Sequence, residues 1–353
     1  MKPHIALICG GKSAEHEISC LSALGVFDAI DKDRYQVSLF GITASGRGFV
    51  PLSSRADFDS DINGLPIVPE SGEAKPLPSG IDLLFPVLHG ANGEDGVFQG
   101  FAEFMGINYL GSGVLASALA MDKSRAKRIF ESVGLKVARG ITVTSINGEG
   151  NGVGNGVGTA VASGVNDVID SGFSYPLFVK PVRGGSSRGT SKVKDESELA
   201  TAISAALQFD ARVLIEEAIE GREVECAILQ RDGELHASVV GEIRVLGGRE
   251  FYDYEAKYLD SATEYLIPAP IDQEQSDRIR AAAITAFEAM GCEGLARVDF
   301  FLSHDGAITI NELNTMPGFT AKSVFPMLWS AGGYDYAKLV AIMIEEALRT
   351  PKA

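Results

Sequence analysis

The stretch ARVDFFLSHDGAITINELNTMPG, residues 296–318, has two apolar runs separated by a turn sequence, Ser-His-Asp-Gly. This pattern predicts a β-hairpin. If residues 305–306 form a two-residue loop, the register places Asp299 directly opposite Glu312. Carboxylates at such positions have β-carbons roughly 5 Å apart and repel each other. Two acids in strands that otherwise look buried therefore raise the question of what offsets their repulsion.

The same register places a second polar pair, Arg297 and Asn314, on the face that carries the two acids, because side chains alternate between faces along a strand. Phe301 and Ile310 are expected beyond them, toward the turn. A divalent cation would remove the repulsion, and Mg²⁺ suits carboxylate oxygens together with water and phosphate. The alternative at this point is a polar face that meets solvent, and a β-bulge would change the register.

The bulk composition limits the classes to which the chain can belong. Its 353 residues predict two or three domains, and a net charge of −16 with no basic stripe argues against a nucleic-acid partner. The N-terminal apolar run is too short for a signal peptide, and no run approaches the roughly 18 apolar residues of a membrane helix, so we expect no membrane association. Isolated cysteines fit a reducing compartment, and we expect a cytoplasmic protein. The cysteines are Cys9, Cys20, Cys226 and Cys292.

The N-terminal third of the chain alternates strand-like and helix-like segments. This predicts a parallel sheet with helices packed on it, and Ser13 is expected to cap the first helix. Ligands of such sheets bind beyond the carboxyl ends of the strands, which here carry GGKSAEHE and HGANGEDG. Neither segment is the glycine fingerprint G-x-G-x-x-G, which argues against a nicotinamide-dependent dehydrogenase.

The middle of the chain is less regular. The pattern predicts one helix over residues 112–133, and the glycine-rich residues 145–164 are interpreted as a flexible loop. Largely antiparallel strands follow, and the polar, aromatic residues 251–266 are predicted to form a long loop. Two further helices are predicted at residues 273–291 and near residues 334–348.

A second candidate site is the segment RGGSSRGT, residues 183–190, between two predicted strands. Free backbone N–H groups and hydroxyls in such a loop can bind an anion, and Arg183 and Arg188 add charge. An ordinary turn is the alternative, but Lys180 ends an apolar strand, where a buried ammonium needs an anion. Lys123 could be a second phosphate ligand or simply a solvated side chain. Neither the P-loop motif nor the kinase H-R-D motif occurs.

Eight segments, some of which extend those already described, together match one family. They are GGKSAEHEIS, HGANGEDGVFQG, MDK, FVKPVRGGSSRGTSKV, LIEEAIEGREVECAI, FYDYEAKY, RVDFF and NELNTMPGFTAKSVFP. With them the chain resembles the D-alanine–D-alanine ligase family of the ATP-grasp superfamily. The matches are spread over nearly the whole length of the chain. The combination of NELNTMPGFT with YDYEAKY is the most specific.

The resemblance implies a fold of the α/β and α+β classes. An N-terminal parallel α/β domain, residues 1–120, would precede two domains that clamp a nucleotide between mixed and antiparallel sheets: a small central domain at 121–212 and a catalytic domain at 213–353. It also implies ATP-dependent ligation of two D-alanine molecules through an acyl phosphate, with release of ADP and phosphate, for peptidoglycan synthesis. Arg297 would steady the acyl phosphate. The protein would be a homodimer.

Residue roles are implied by position in the matched motifs. The implied magnesium ligands, for two ions that Mn²⁺ can replace, are Asp299, Glu312 and Asn314. The implied ATP-binding residues are Lys123, Lys180, Ser187, Glu216, Glu217, Ile219, Glu223 and Lys257. The implied substrate-binding residues are Glu15, His89, Arg297, Gly318 and Ser323. The implied catalytic residues are Glu15, Ser186, Tyr258, Arg297 and Ser323.

Within this set, the resemblance gives the substrate residues distinct tasks. Glu15 would hold the ammonium of the first D-alanine, although a carboxylate at a helix start is also favoured by the helix dipole. Ser186 and Tyr258 would form hydrogen bonds with Glu15 and close a loop over the site. Gly318 and Ser323 would surround the carboxylate of the second D-alanine.

Two rival interpretations share this fold. A ligase could take D-lactate or D-serine as the second substrate, and Tyr258 bears on this choice because a tyrosine after Lys257 resembles the dipeptide-forming type. Tyr258→Phe should then admit D-lactate, and unchanged product selectivity would remove this role. A non-catalytic nucleotide-binding protein would be expected to lack some of the polar residues of the hairpin, whereas all of them are present.

Overall fold

The computed structural model describes residues 2–145, 155–246 and 263–352. The N-terminal part forms a four-stranded sheet of order β3-β2-β1-β6. Its strands are β1 His4–Gly10, β2 Gln36–Ile42, β3 Phe49–Leu52 and β6 Leu83–Pro86. The predicted parallel pairing is confirmed for β1 with β2 and β6, whereas β3 is an antiparallel edge strand. Short elements between them are a 3₁₀ turn Arg55–Asp57, β4 Asp59–Ser60 and β5 Pro66–Ile67.

Two helices accompany this sheet, α1 His16–Ala29 and α2 Val97–Phe104. The predicted cap of α1 was wrong, because Glu15 and not Ser13 occupies the N-cap position, without a side-chain cap bond. The Ser13 hydroxyl instead accepts a hydrogen bond from the Glu15 N–H at 3.1 Å. The carboxylate of Glu15 therefore stays available to other parts of the molecule.

The predicted single helix over residues 112–133 was also wrong. The chain forms α3 Val114–Met121 and α4 Lys123–Ser132, which are separated at Asp122 (φ −86°, ψ 91°). The carboxylate of Asp122 accepts a hydrogen bond from the Arg125 N–H and thereby caps α4. It also pairs with Arg212 on a distant strand, so a tertiary contact stabilises the break.

The second sheet is antiparallel, with order β7-β10-β8-β9. Its strands are β7 Gly140–Thr144, β8 Leu177–Pro181, β9 Ser191–Val193 and β10 Arg212–Glu217. Helices α5 Asn155–Ser171 and α6 Glu196–Ala206 pack on it around one apolar core.

The glycine-rich segment is not a loop where the structure describes it. Residues 155–164 belong to α5, and the prediction for 146–154 lies outside the described residues. Ala160 and Val168 are buried against the second sheet, and this burial favours the helix. A β-carbon on Gly164 would lie 2.9 Å from a Val143 methyl carbon, so this glycine permits close helix–sheet packing.

The third sheet is antiparallel, with order β13-β12-β11-β14-β15. Its strands are β11 Arg222–Arg231, β12 Glu234–Val245, β13 Thr263–Leu266, β14 Leu295–Leu302 and β15 Ile308–Asn314. The helices that follow or flank it are α7 Gln273–Ala289, α8 Val324–Ala331 and α9 Tyr336–Arg349. Residues 263–266, predicted as loop, thus form an edge strand, while 251–262 lie outside the described residues.

Apolar cores join these layers. One core contains residues of the N-terminal sheet together with α8 and α9, and another packs α3, α4 and α7 on the third sheet. Helix α4 therefore lies on the third sheet, although it precedes the second sheet in sequence. The division at residues 120 and 212 stays a prediction. In the part of the chain that the structure describes, no helix has both the length and the apolar composition to cross a membrane.

The predicted register of the hairpin is correct for the polar pairs, although two features of the hairpin were not predicted. A longer loop shifts the pairing by one residue, and a bulge shifts it back. The loop has three residues, since the Ser303 N–H donates to the Ala307 carbonyl and Gly306 adopts φ +79°. A register shift follows between Asp299 and Phe300, where Asn311 is the extra residue of the partner strand. This bulge restores the predicted pairing at the far end of the hairpin.

The predicted pairs Asp299–Glu312 and Arg297–Asn314 are therefore confirmed. The predicted position of Ile310 was wrong. It pairs with Phe300 and lies in the apolar core at 1 % exposure.

Candidate active site

Two adjoining cavities lie where the three sheets meet. The first cavity, about 350 Å³, is bounded by loops after β1 and β6, the loop 183–190 and the segment after β15. The second cavity, about 730 Å³, lies between the second and third sheets. Both volumes are in the range of ligand sites, about 300–1,000 Å³. The residues that line both cavities are Lys123, Gly184, Ser186 and Glu312.

The structure separates the predicted site residues into two groups. Those that line only the first cavity are Glu15, His89, Arg297, Asn314, Gly318 and Ser323, whereas Lys123, Ser186 and Glu312 line both cavities. Those that line the second cavity are Lys180, Ser187, Glu216, Glu217, Ile219, Glu223 and Asp299. The predictions for Lys257 and Tyr258 lie outside the described residues.

The polar face of the hairpin is a connected network. The guanidinium of Arg297 donates to both carboxylate oxygens of Asp299, each at 2.7 Å, and lies 3.0 Å from a Glu225 oxygen. The Asn314 amide lies 3.1 Å from Asp299 Oδ2. Burial alone would lower the pKa of Arg297, but the facing carboxylates raise it well above its ordinary value. Sequence reasoning missed Glu225, whose contact with Arg297 depends on the pairing of β11 with β14.

The residues at the junction of the cavities could hold a metal ion. Glu312 Oε2 lies 3.2 Å from Lys123 Nζ, and Asp299 is held by Arg297, so each carboxylate faces a positive charge. Two carboxylates and the amide oxygen of Asn314 are hard donors that fit Mg²⁺ when water or phosphate completes the shell. Among the described residues no group of three or more His, Cys, Asp or Glu side chains forms a metal site, so a bound ligand would have to supply further oxygens.

Three charged side chains, of which Glu216 and Lys127 are buried and Lys180 is partly exposed, form a cluster at the side of the second cavity. Glu216 forms ion pairs with both Lys180 and Lys127, and Lys127 also donates to the Ala138 carbonyl at 3.1 Å. Burial would raise the pKa of Glu216, but the two ammonium groups lower it below its ordinary value. Sequence reasoning missed Lys127. The available signal was its position one helical turn after Lys123 in α4.

The loop 183–190 has an unusual backbone. Ser186 and Ser187 adopt φ +49° and +56°, a left-handed conformation that non-glycine residues rarely take and that is concentrated at functional sites. The Ser186 hydroxyl donates to Glu15 Oε1 at 2.5 Å, as the family resemblance implied. Arg183 instead anchors the loop, because its guanidinium binds the Asp210 carboxylate at 2.9 and 3.1 Å.

The loop after β6 contributes two buried side chains. His89 Nδ1 donates to the Met316 carbonyl at 3.1 Å, and burial lowers the pKa of His89. Glu94 accepts hydrogen bonds from the N–H groups of Gly90 and Met316 at 2.5 and 3.2 Å. Burial and the nearby Glu15 carboxylate raise the pKa of Glu94 to about 8. Sequence reasoning missed Glu94, although it lies in the quoted HGANGEDG segment.

The far end of the first cavity lies at the start of α8. Ser323 occupies the N-cap position, and its hydroxyl accepts a hydrogen bond from the Thr320 N–H at 3.0 Å. A β-carbon on Gly318 would lie 3.2 Å from the Ser323 hydroxyl oxygen, so a side chain there would narrow this end. The helix N-terminus beside it favours a negative group.

These features identify the class of protein first. Two antiparallel sheets enclose a nucleotide-sized cavity with lysines, a glycine-rich loop and a carboxylate pair on its walls, which defines an ATP-grasp enzyme. Residues 4–112 match the family model described as D-ala D-ala ligase N-terminus, and residues 159–345 match D-ala D-ala ligase C-terminus. The chain belongs to the D-alanine–D-alanine ligase family.

Individual relatives agree with this assignment. The chain is 42 % identical to proteins named D-alanine–D-alanine ligase from Acetivibrio thermocellus, with 99 % of this chain and 96 % of the relative covered, and from Mycolicibacterium smegmatis, with 98 % and 96 % covered. A solved structure described as the VanG D-Ala:D-Ser ligase from Enterococcus faecalis is 35 % identical, with a TM-score of 0.82. That comparison covers 98 % of this chain and 100 % of the solved one.

Proposed function

We propose that this protein uses ATP to join two D-alanine molecules into D-alanyl-D-alanine, releasing ADP and phosphate, as a step toward peptidoglycan. One observation carries the proposal: Lys123, Gly184, Ser186 and Glu312 border both cavities. A terminal phosphate in the second cavity would therefore adjoin a carboxylate in the first. This is the geometry that phosphoryl transfer between two bound substrates needs.

The reaction then has two steps. A carboxylate oxygen of the first D-alanine attacks the γ-phosphorus of ATP, and the bond to the bridging oxygen of ADP breaks. The uncharged amine of the second D-alanine attacks the acyl carbon, and the bond from that carbon to the phosphate oxygen breaks. The nitrogen loses one proton, so that an amide and inorganic phosphate are formed. Enclosure between the loops excludes water, which would otherwise hydrolyse the acyl phosphate.

The first cavity supplies the residues for the amino acids. Glu15, held by Ser186, accepts the ammonium of the first D-alanine. Arg297 points its buried guanidinium at the acyl phosphate and at the charge that develops on the attacked carbonyl. Gly318 and Ser323 take the carboxylate of the second D-alanine at the start of α8.

The second cavity supplies the residues for the nucleotide. Lys123, Lys180 and the backbone around Ser187 bind the phosphates, residues 216–219 border the adenine, and Glu223 binds the ribose. The assignments of Lys257 to the transferred phosphate and Tyr258 to the closing loop remain predictions.

Asp299, Glu312 and Asn314 would hold Mg²⁺, which Mn²⁺ can replace. Two such ions, when bound, would neutralise phosphate charge during transfer of the phosphoryl group. The chain's own contribution is to hold both carboxylates on one face of the hairpin.

We also propose a cytoplasmic homodimer. All four cysteines are buried free thiols, which fits a reducing compartment. Sedimentation equilibrium of the purified protein tests the dimer, and a monomer mass at micromolar concentration would contradict it.

The deciding experiment measures phosphate release from MgATP with D-alanine and with L-alanine. We expect release with D-alanine alone and a D-alanyl-D-alanine product by mass spectrometry. Release with neither amino acid, or equal release with both, would contradict the proposal. Mixtures of D-alanine with D-serine or D-lactate test the rival second substrates, because one solved relative is described as a D-Ala:D-Ser ligase. A mixed product in excess of the dipeptide would favour a rival.

A further inference from the structure

Both backbone polar groups of Met316, its N–H and its carbonyl, are held by side chains from another part of the fold. His89 Nδ1 donates to the carbonyl at 3.1 Å, and the Glu94 carboxylate accepts from the N–H at 3.2 Å. The Met316 side chain is 5 % exposed and belongs to the core shared with the N-terminal sheet. Three contacts therefore fix one residue of an irregular segment, where no strand partner holds the backbone.

The position of Met316 connects these hydrogen bonds with the proposed substrate sites. It lies two residues after Asn314, on the metal-binding face of the hairpin, and two residues before Gly318, at the far end of the first cavity. A shift of this peptide would therefore move the second amino-acid subsite relative to the phosphate-transfer point. Displacements of about 1 Å in such a geometry are enough to lower rates strongly.

Glu94 also links this segment to the first amino-acid subsite. Its second oxygen accepts from the Gly90 N–H at 2.5 Å. A β-carbon on Gly90 would lie 3.0 Å from Glu15 Oε2, so Glu15 and Glu94 flank the same piece of backbone. In its ionised form, a carboxylate can accept two N–H groups at once, one on each oxygen, and can thereby hold two loops in one arrangement.

We propose that Glu94 is a positioning residue that fixes the second D-alanine subsite relative to the first. It does so by accepting hydrogen bonds from the backbone N–H groups of both Met316 and Gly90. The inference rests on the proposed ligase function, since it assigns a task within that reaction. Glu94 acts through the backbone and through Gly318 and Ser323. The inference predicts that removing the Glu94 carboxylate selectively lowers the affinity for the second amino acid and leaves ATP binding unaffected.

Initial rates over a wide D-alanine range resolve the two Michaelis constants for the two amino acids. They are measured at about pH 9, where Glu94 with its pKa of about 8 is ionised. In Glu94→Ala we expect the constant for the second D-alanine to rise about tenfold or more, with the KM for ATP unchanged. Glu94→Gln should restore part of the loss, because its amide oxygen can accept only one of the two N–H groups.

The matched control is Asp95→Ala. Asp95 caps the same loop, accepting from the Asn92 and Val97 N–H groups at 2.9 and 3.1 Å, but these contacts stay within the loop. We expect this variant to keep the wild-type constant for the second D-alanine. Equal constants in the Asp95 and Glu94 alanine variants would overturn the inference, as would a parallel rise in the KM for ATP.

Glu94→Gln keeps the test decisive if Glu94→Ala does not fold. A folded Gln variant with wild-type constants for both amino acids would overturn the positioning role. Wild-type protein without D-alanine-dependent phosphate release would instead contradict the proposed function, so the two failures are distinguishable.

Discussion

The two cavities are organised by different kinds of contact. In the first cavity, Glu94 and His89 are fixed by hydrogen bonds to backbone groups, and Glu15 by the Ser186 hydroxyl. In the second cavity, charged side chains hold each other, as Glu216 does with Lys127 and Lys180. The first arrangement is preorganised for small amino acids. In the second, lysines that would bind phosphate must exchange a protein carboxylate for the ligand.

A substitution at the junction between the cavities should have the largest effect on the reaction rate. We expect Glu312→Gln to lower kcat by about 10²–10³-fold, because it removes a charge from the proposed point of phosphate transfer. It should also weaken Mn²⁺ binding in the presence of ATP, measured by electron paramagnetic resonance. Glu234→Gln, an exposed carboxylate of the same sheet, is the control. Unchanged Mn²⁺ binding in Glu312→Gln would remove its role as a ligand.

The first cavity can be tested at the contact between its two sides. Ser186→Ala removes the hydrogen bond to Glu15, and bonds to charged groups contribute about 1.5–3 kcal/mol. We expect kcat/KM for D-alanine to fall about tenfold to a hundredfold. Ser171→Ala, which loses a helix-surface hydroxyl bonded to the Asp167 carbonyl, should be neutral. A Ser186 variant with wild-type kcat/KM would show that the contact is dispensable.

A substitution in the second cavity tests whether nucleotide binding there is independent of amino-acid binding in the first cavity. Lys127→Met leaves Glu216 paired with Lys180 alone, so Lys180 is less free to bind phosphate. We expect the KM for ATP to rise about fivefold, which is about 1 kcal/mol, with both D-alanine constants unchanged. The exposed neighbour Arg128→Met is the control. A rise in the D-alanine constants instead would mean that the two cavities are not energetically separate.

Removing the contact of Arg183 with Asp210, which anchors the loop 183–190, should give the smallest effect. Burial would raise the pKa of Asp210, but its hydrogen bonds with Arg183 lower it below the ordinary value. Its contribution to stability is therefore present above about pH 4 and is lost as the pH falls through the lower folded-state pKa. Urea unfolding of wild type and Asp210→Asn should differ by about 1 kcal/mol near neutral pH, since Arg183 is partly exposed. The two proteins should converge in acid, and a constant difference would exclude this linkage.

Several errors of sequence reasoning have one physical cause. The break at Asp122 is stabilised by Arg212, and the helix at residues 155–164 by burial on the second sheet. The bulge at Asn311 carries its amide oxygen to 3.5 Å from Lys180 Nζ. In each case the partner is distant in sequence or on another sheet, so local patterning carries no signal of it.

The same reason explains which site residues were missed. Lys127, Glu94 and Glu225 look like ordinary charged residues in the sequence, and their importance comes from partners at Glu216, Met316 and Arg297. The motif residues, in contrast, could be assigned because the resemblance carries their positions.

By itself the sequence determined the alternation of the hairpin, the β/α order of the N-terminal sheet and the family, because each depends on neighbouring residues or on contiguous motifs. Only the tertiary structure decided which charges meet, how the two cavities adjoin, and that a peptide at Met316 is held from the loop after β6. Such contacts form between segments far apart in the chain, and their geometry is set by how the sheets pack.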